Sequence, residues 1–384
     1  MPLDEAQQAR KEESERYTRD VIYKGGEILD AVELPSGDIV DFINRDTLPA
    51  LPYALPALPF TPEDLVLPEG VELGLTELQQ IPELLGLAAA TTPFKRPTFW
   101  PYILGETDAI SIEDYLARYQ EGGQPSSAKR LYAGLVSMTS NYGVSGSMNQ
   151  FRPEVPPDGI SLLEFSVSCP ADGPAQEQIG IVISVDKRNS FGANRQKYQD
   201  GEPRLHIEYA RVVNGKVEYR WDEMDGEFVA NPLRLHHPGQ KVPVSGPGGT
   251  QVEHHMAIFQ VPWGDWWIAY NGWLLGYYPA SLFTMLNTGA CKSSWYGEVF
   301  RKNVNNPDAI NIEMGSGKFP EAGIPNVAYM RNPRYHDYFG TPLEPQDDFH
   351  MVPYAPLCYG RSPLTNNILI VGGPGGFNSA CQWP

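Results

Sequence analysis

The stretch whose residue types could do chemistry is Trp295-Tyr296-Gly297-Glu298-Val299-Phe300. Glu298 is a lone carboxylate inside an aromatic and aliphatic strand pattern, where an ionised side chain is costly unless a partner or water meets it. Held that way, it could take a proton from water and return it to a leaving group. A second candidate comes from alternation. Ile179, Ile181, Ile183 and Val185 occupy one face of a strand, and Gln178, Gly180, Val182 and Ser184 the other. The isoleucine face is core, so Gln178 points away from it, beside a glycine that leaves room for a ligand. Glu177 has the core-face parity but sits at the strand's end, where a glutamate normally turns out to water.

Other constellations are weaker. His236-His237 and His254-His255 are adjacent pairs whose rings, on a strand, face opposite ways, and the sequence has no HExxH and no CxxC. Neither a metal site nor a cofactor is expected. Gly143-Val144-Ser145-Gly146-Ser147 lacks the Gly-x-Ser-x-Gly spacing, and Gly246 to Gly249 is not followed by the Lys-Ser/Thr of a phosphate cradle. A single glutamate in an aromatic strand is, on physical grounds alone, more often structural than catalytic.

The elements that must position these residues are strands. Asp265 to Tyr270 and Trp273 to Tyr278 flank Asn271-Gly272, a strong two-residue hairpin signal. From Leu131 onward strand patterns recur about every ten residues, as in Leu162 to Ser168, Leu205 to Val213, Val217 to Trp221 and Met256 to Val261. With 36 prolines and 37 glycines punctuating them, they predict an all-β chain built as an antiparallel two-sheet β-sandwich.

Residues 1–128 read as a separate piece. They carry 9 basic and 23 acidic side chains, against 20 and 24 in residues 129–384, so most of the net charge of -18 lies in front. That charge argues against nucleic acid or an anionic membrane surface as partner, and no run reaches the roughly 20 apolar residues of a membrane span. The front piece is mixed and mostly irregular. Asp4 to Arg19 reads as a solvated, helix-prone arm, and Ile28 to Leu34 with Ile39 to Ile43 as a hairpin. Prolines from Pro49 to Pro68 give an extended run whose leucines are too apolar for a free linker, so it should lie on a surface. Thr61-Pro62-Glu63-Asp64 and Ser111-Ile112-Glu113-Asp114 are helix starts, and Gln120 to Ala128 is an exposed connector at the boundary.

In Trp266-Trp267, Gly276 to Phe283, Tyr296-Gly297-Glu298-Val299, Met314 to Pro320 and Ala328-Tyr329, the chain resembles the catalytic domain of the neprosin family of glutamic peptidases, in order and at about the family's spacing. The resemblance implies a concave, jelly-roll-like sandwich holding a polypeptide substrate, an acid-active endopeptidase cleaving after proline, and an N-terminal prosegment over the cleft. Trp266, Tyr277 and Tyr296 become candidates for the cleft wall. The family's two catalytic glutamates lie in a Glu-x-Gly word and a Gly-Glu-Val word. Glu298 matches the second, whereas at the first, anchored on Gly180, this chain has Gln178.

Three readings follow. Gln178 and Glu298 form a glutamine–glutamate dyad like that of the eqolisins, the amide orienting water and stabilising the oxyanion; or a bulge lets Glu177 take the first place; or catalysis is lost and the sandwich only binds peptide or carbohydrate. A glycosidase would need a second acid near Glu298. Glu313 stands where the family usually has Gln, which suggests an exchanged amide and carboxylate. Four cysteines allow three pairings. The resemblance implies Cys358 with Cys381, with Cys169 and Cys291 a candidate second pair, and hence a secreted protein, although Met1 to Arg19 is polar and carries no apolar signal-peptide core.

Overall fold

Runs that alternate apolar with polar residues bury one face each, and here they do so by stacking as two sheets. The computed structural model describes residues 5–60, 64–97, 129–170, 176–187, 200–301, 311–345, 349–351, 353–375 and 381. The N-terminal part holds α1 (Glu5–Tyr17), β1 (Ile28–Glu33), β2 (Ile39–Asn44), β3 (Val71–Leu73), α2 (Glu77–Gln80), α3 (Pro82–Ala90) and β4 (Thr91–Lys95). The remainder is built of strands: β5 (Lys129–Ser137), β6 (Gly143–Asn149), β7 (Gly159–Cys169), β8 (Glu177–Asp186), β9 (Arg204–Val213), β10 (Lys216–Trp221), β11 (Val229–Ala230), β12 (Gln251–Gln260), β13 (Trp266–Tyr270), β14 (Trp273–Tyr278), β15 (Lys292–Arg301), β16 (Ala328–His336), β17 (Pro342–Leu343), β18 (Phe349–His350), β19 (Gly360–Arg361) and β20 (Ile368–Gly372).

One sheet runs β10-β9-β8-β7-β15-β5-β18, and the other runs β11-β14-β13-β12-β6-β16-β20-β19 with β17 and β3 attached. Ile179, Ile181 and Ile183 of β8 and Phe165 and Val167 of β7 meet Met256, Ile258, Ile268 and Tyr278 of the opposite sheet in one core, all fully buried. The all-β sandwich read from the sequence is therefore the fold. Asn271 and Gly272 both adopt left-handed backbone, at φ 47° and 81°, as the tight β13–β14 hairpin requires.

The N-terminal part packs where the sequence pattern allowed. β1 and β2 form the expected antiparallel hairpin, joined by β4. Asp38, at the tip of that hairpin, accepts from Arg204 of β9 at 2.5 and 3.2 Å. In the proline run, Leu51, Tyr53, Leu58 and Phe60 lie against Phe259, Trp267 and Tyr277 on the outer face of the larger sheet. Tyr53 donates to Asp265 at 2.5 Å. β3 then adds to β12 as a parallel strand. The two helix starts at residues 61–63 and 111–114, and the connector at 120–128, lie outside the described residues.

Both cystine pairs form: Cys169 with Cys291, which closes β7 against the start of β15, and Cys358 with Cys381. Glu177 corrects the expectation that it turns to water, because it is fully buried. Its carboxylate accepts the N–H groups of Thr284, Met285 and Leu286 at 2.6 to 3.1 Å and the Thr284 hydroxyl at 2.9 Å, which fixes the loop after β14. No bulge carries it to the other face; β8 keeps unbroken register with β7 from Asp186 to Glu177.

Replacing Cys169 and Cys291 by serine should cost about 4 kcal/mol, since the bond closes a long loop in the unfolded chain. Glu177→Ala leaves several buried donors unmet and should lower stability by about 3 kcal/mol, read from the denaturation midpoint. Loss of activity at full stability would instead make Glu177 a reacting group.

Candidate active site

Strand register decides which side chains share the exposed face of the seven-stranded sheet. Glu298 lies opposite Leu162 and Tyr132, and Tyr296 lies opposite Glu164. Across β7, β8 and β9, Glu164 is level with Val182 and His206, and Ser166 with Gly180 and Glu208. All of these point away from the isoleucine core. Glu164, Glu208 and Glu298 therefore project from one wall, although they are far apart in the chain.

The wall is largely dry. Glu298 is 4 % exposed and Glu164 1 %. Arg130 of β5 donates to the Glu298 carboxylate at 2.7 Å. Burial alone would lower the Arg130 guanidinium, but Glu298 beside it holds it above its usual range. Glu164 lies between Tyr296 and Gly180. Burial first, then the charge of Glu208 and that of Glu298, push the Glu164 carboxyl well above the ordinary glutamate range, against the hydroxyls of Tyr296 and Ser166 that donate to it. Tyr132 and Tyr296 are themselves kept protonated by burial and the neighbouring carboxylates.

Gln178 is on this face, as the alternation predicted, but its amide does not go to Glu298. It is level with Ser168, six residues along β7 from the Leu162 level of Glu298, or about 20 Å at strand rise. Its Nε2 donates to Glu164 Oε1 at 2.9 Å and to Glu208 Oε1 at 3.1 Å. The space above Gly180 is likewise filled from within the chain. A Cβ there would lie 2.7 Å from Glu164 Oε1 and 2.9 Å from Glu208 Cγ, so glycine is what lets the two carboxyl groups meet over β8. The Gln178 amide is thus given to Glu164 and Glu208, and Glu298 takes its described hydrogen bond from Arg130.

The other expected residues separate. Tyr296 stands on the carboxyl wall beside Glu164. Trp266 is buried between the sheets, its Nε1 donating to the Leu286 carbonyl at 2.7 Å, because its place in β13 puts it on the core face. Tyr277 lies on the outer face of the larger sheet against Tyr53. Glu313 accepts the Glu154 N–H at 2.8 Å and covers Gly317; burial, with Glu154 nearby, raises it, and none of its described contacts reaches the carboxyl wall. Next to it, Met314 packs on Gly297, whose free side is the core side of β15.

Glu164 and Glu208 are the residues that sequence reasoning missed. The signal was present in Leu163-Glu164-Phe165 and Ile207-Glu208-Tyr209, each a carboxylate in the polar phase of an otherwise buried strand. Among the described residues no cluster of three or more His, Cys, Asp or Glu is arranged to hold a metal ion.

Residues 189–374 match the family model described as Neprosin, a stretch that includes Glu208 and Glu298 and begins after Glu164 and Gln178. Among solved structures, scytalido-glutamic peptidase with a peptide-based transition-state analogue is similar at 9% identity, covering 64% of this chain and 98% of that one, with a TM-score of 0.34. SCP-B, a member of the eqolisin family of peptidases in complex with the tripeptide Ala-Ile-His, is similar at 9% identity over the same shares, with a TM-score of 0.33. Over residues 189–374, a little under half of its length, the chain is thus similar to the Neprosin family.

Proposed function

We propose that this chain is a glutamic endopeptidase, acting on extended polypeptide laid along the carboxyl wall of the seven-stranded sheet. The observation that carries the proposal is Glu298 itself: a carboxylate 4 % exposed, tied to one guanidinium and standing beside phenols, with a second carboxyl one register step away on β7. Such a group can take a proton from water as it attacks the scissile carbonyl and deliver it to the departing amine. The match of residues 189–374 to the Neprosin family model supports the peptidase reading. A preference for cleavage after proline enters from the family alone.

Acid conditions favour this chemistry, because neighbouring carboxyls work as a pair when they share one proton. In the same proposal residues 1–128 are a prosegment removed on activation in a secreted protein. Its acidic excess would be partly neutralised in acid, loosening its hold on the sandwich.

Incubating the full chain near pH 4 with an unfolded protein should cleave both the substrate and the chain itself ahead of the sandwich, as seen by mass spectrometry. Glu298→Gln should retain its circular dichroism and lose at least ~100-fold in kcat. An intact substrate beside the folded wild-type chain would instead leave a sandwich that only binds.

A further inference from the structure

Glu298 as proton acceptor leaves the developing oxyanion without an assigned donor, and the buried groups around it supply one candidate. Glu164 is on the adjacent strand, diagonal to Glu298. Tyr296 and Ser166 hold it from the sides and Gln178 from the far end, where Nε2 is 2.9 Å away. The residue beneath it is a glycine whose missing Cβ is the space the carboxyl fills. Four residues on three strands thus converge on one side chain that stability does not require to be acidic, since a leucine would suit so dry a site better.

We propose that Glu164 is the general acid of the reaction and that Gln178 is its positioning residue. The inference rests on the peptidase reading of Glu298 and assigns the other half of that site. As the water oxygen bonds to the carbonyl carbon, Glu298 takes the water proton and Glu164 gives its own to the carbonyl oxygen. When the C–N bond breaks, nitrogen receives the proton from Glu298, and Glu164 recovers one from the hydroxyl of the new acid. One water is consumed and both carboxyls end as they began.

The groups facing Glu164 favour the protonated form. Glu208 of β9 and Glu298 of β15 repel a second negative charge, and burial penalises it first. Of the cations described on this face, Arg130 of β5 is committed to Glu298, Arg204 of β9 to Asp38 and Asp200, and Lys292 of β15 reaches Gln176 at 3.5 Å, while His206 of β9 lies 2.9 Å from Asp222. Tyr296 and Gln178 donate to the carboxyl and partly oppose these effects. Glu164 therefore keeps its proton in the range where an ordinary glutamate has lost it, and activity should fall on the alkaline side as that proton leaves.

The test compares kcat and KM across pH for the acid-activated wild type, Glu164→Gln, Glu298→Gln and Gln178→Ala, with ¹³C NMR of the wild type labelled at glutamate carboxyls. Expected are a loss of at least ~100-fold in kcat for Glu164→Gln with KM little changed, and one glutamate carboxyl still protonated at neutral pH whose resonance that variant removes. Gln178→Ala should move the alkaline limb of kcat to higher pH, since the lost N–H favoured the ionised form; an unmoved limb removes the positioning role. If Glu298→Gln is dead while Glu164→Gln keeps wild-type kcat and profile, the inference falls and the peptidase reading stands. If Glu298→Gln or an uncleaved substrate removes that reading, the inference goes with it. A wild-type spectrum with every glutamate ionised at neutral pH overturns the inference whatever the kinetics, including the case in which Glu164→Gln does not fold.

Discussion

Like charges placed close together on a dry surface cannot all persist, and this constraint governs the face of the seven-stranded sheet that points away from the isoleucine core. Glu164, Glu208 and Glu298 share a face on which the described guanidinium beside them, Arg130, is bound to Glu298, while Arg204 further along β9 is bound to Asp38 and Asp200. Burial and mutual repulsion raise the Glu164 carboxyl well above the ordinary glutamate range, while Tyr296, Ser166 and Gln178 hold the side chain in place. The proposed proton transfer uses that difference between two carboxyls on adjacent strands.

The pleat makes that wall possible. Successive residues of one strand serve opposite faces, so a core of isoleucine and a row of polar groups can be specified by the same ten residues. Glu177 and Gln178 show how sharp the division is. They are neighbours in sequence, yet Glu177 binds backbone N–H groups of residues 284–286 on the core side, while Gln178 clamps two carboxyl groups on the other. Moving either by one residue would exchange their roles.

The N-terminal part uses the same two resources, apolar surface and strand edge, on the far side of the molecule. Tyr53 and Phe60 cover aromatic residues of the larger sheet, and β3 adds backbone hydrogen bonds to β12. Its ionic attachment, Asp38 to Arg204, reaches β9 at the level of Ser184, whose neighbour on β7 is Leu162 opposite Glu298. The described contacts therefore hold this part to the back and one flank of the sandwich.

Local pattern alone determined the strands, the hairpin at Asn271-Gly272, the isoleucine face of β8 and the standing of Glu298 as a carboxylate in an aromatic strand, because each follows from periodicity or backbone preference within a few residues. The proline run was legible as surface-bound for the same reason. What only the tertiary structure decided is which strands are neighbours and in what register. That placed Glu164 and Glu208 beneath Gln178, sent Trp266 into the core and Tyr277 to the back, and turned Glu177 inward to a loop more than a hundred residues away. A strand's sequence fixes which of its side chains share a face, but contact across strands depends on the alignment of segments distant in the chain, and that is set by the packing of the whole core.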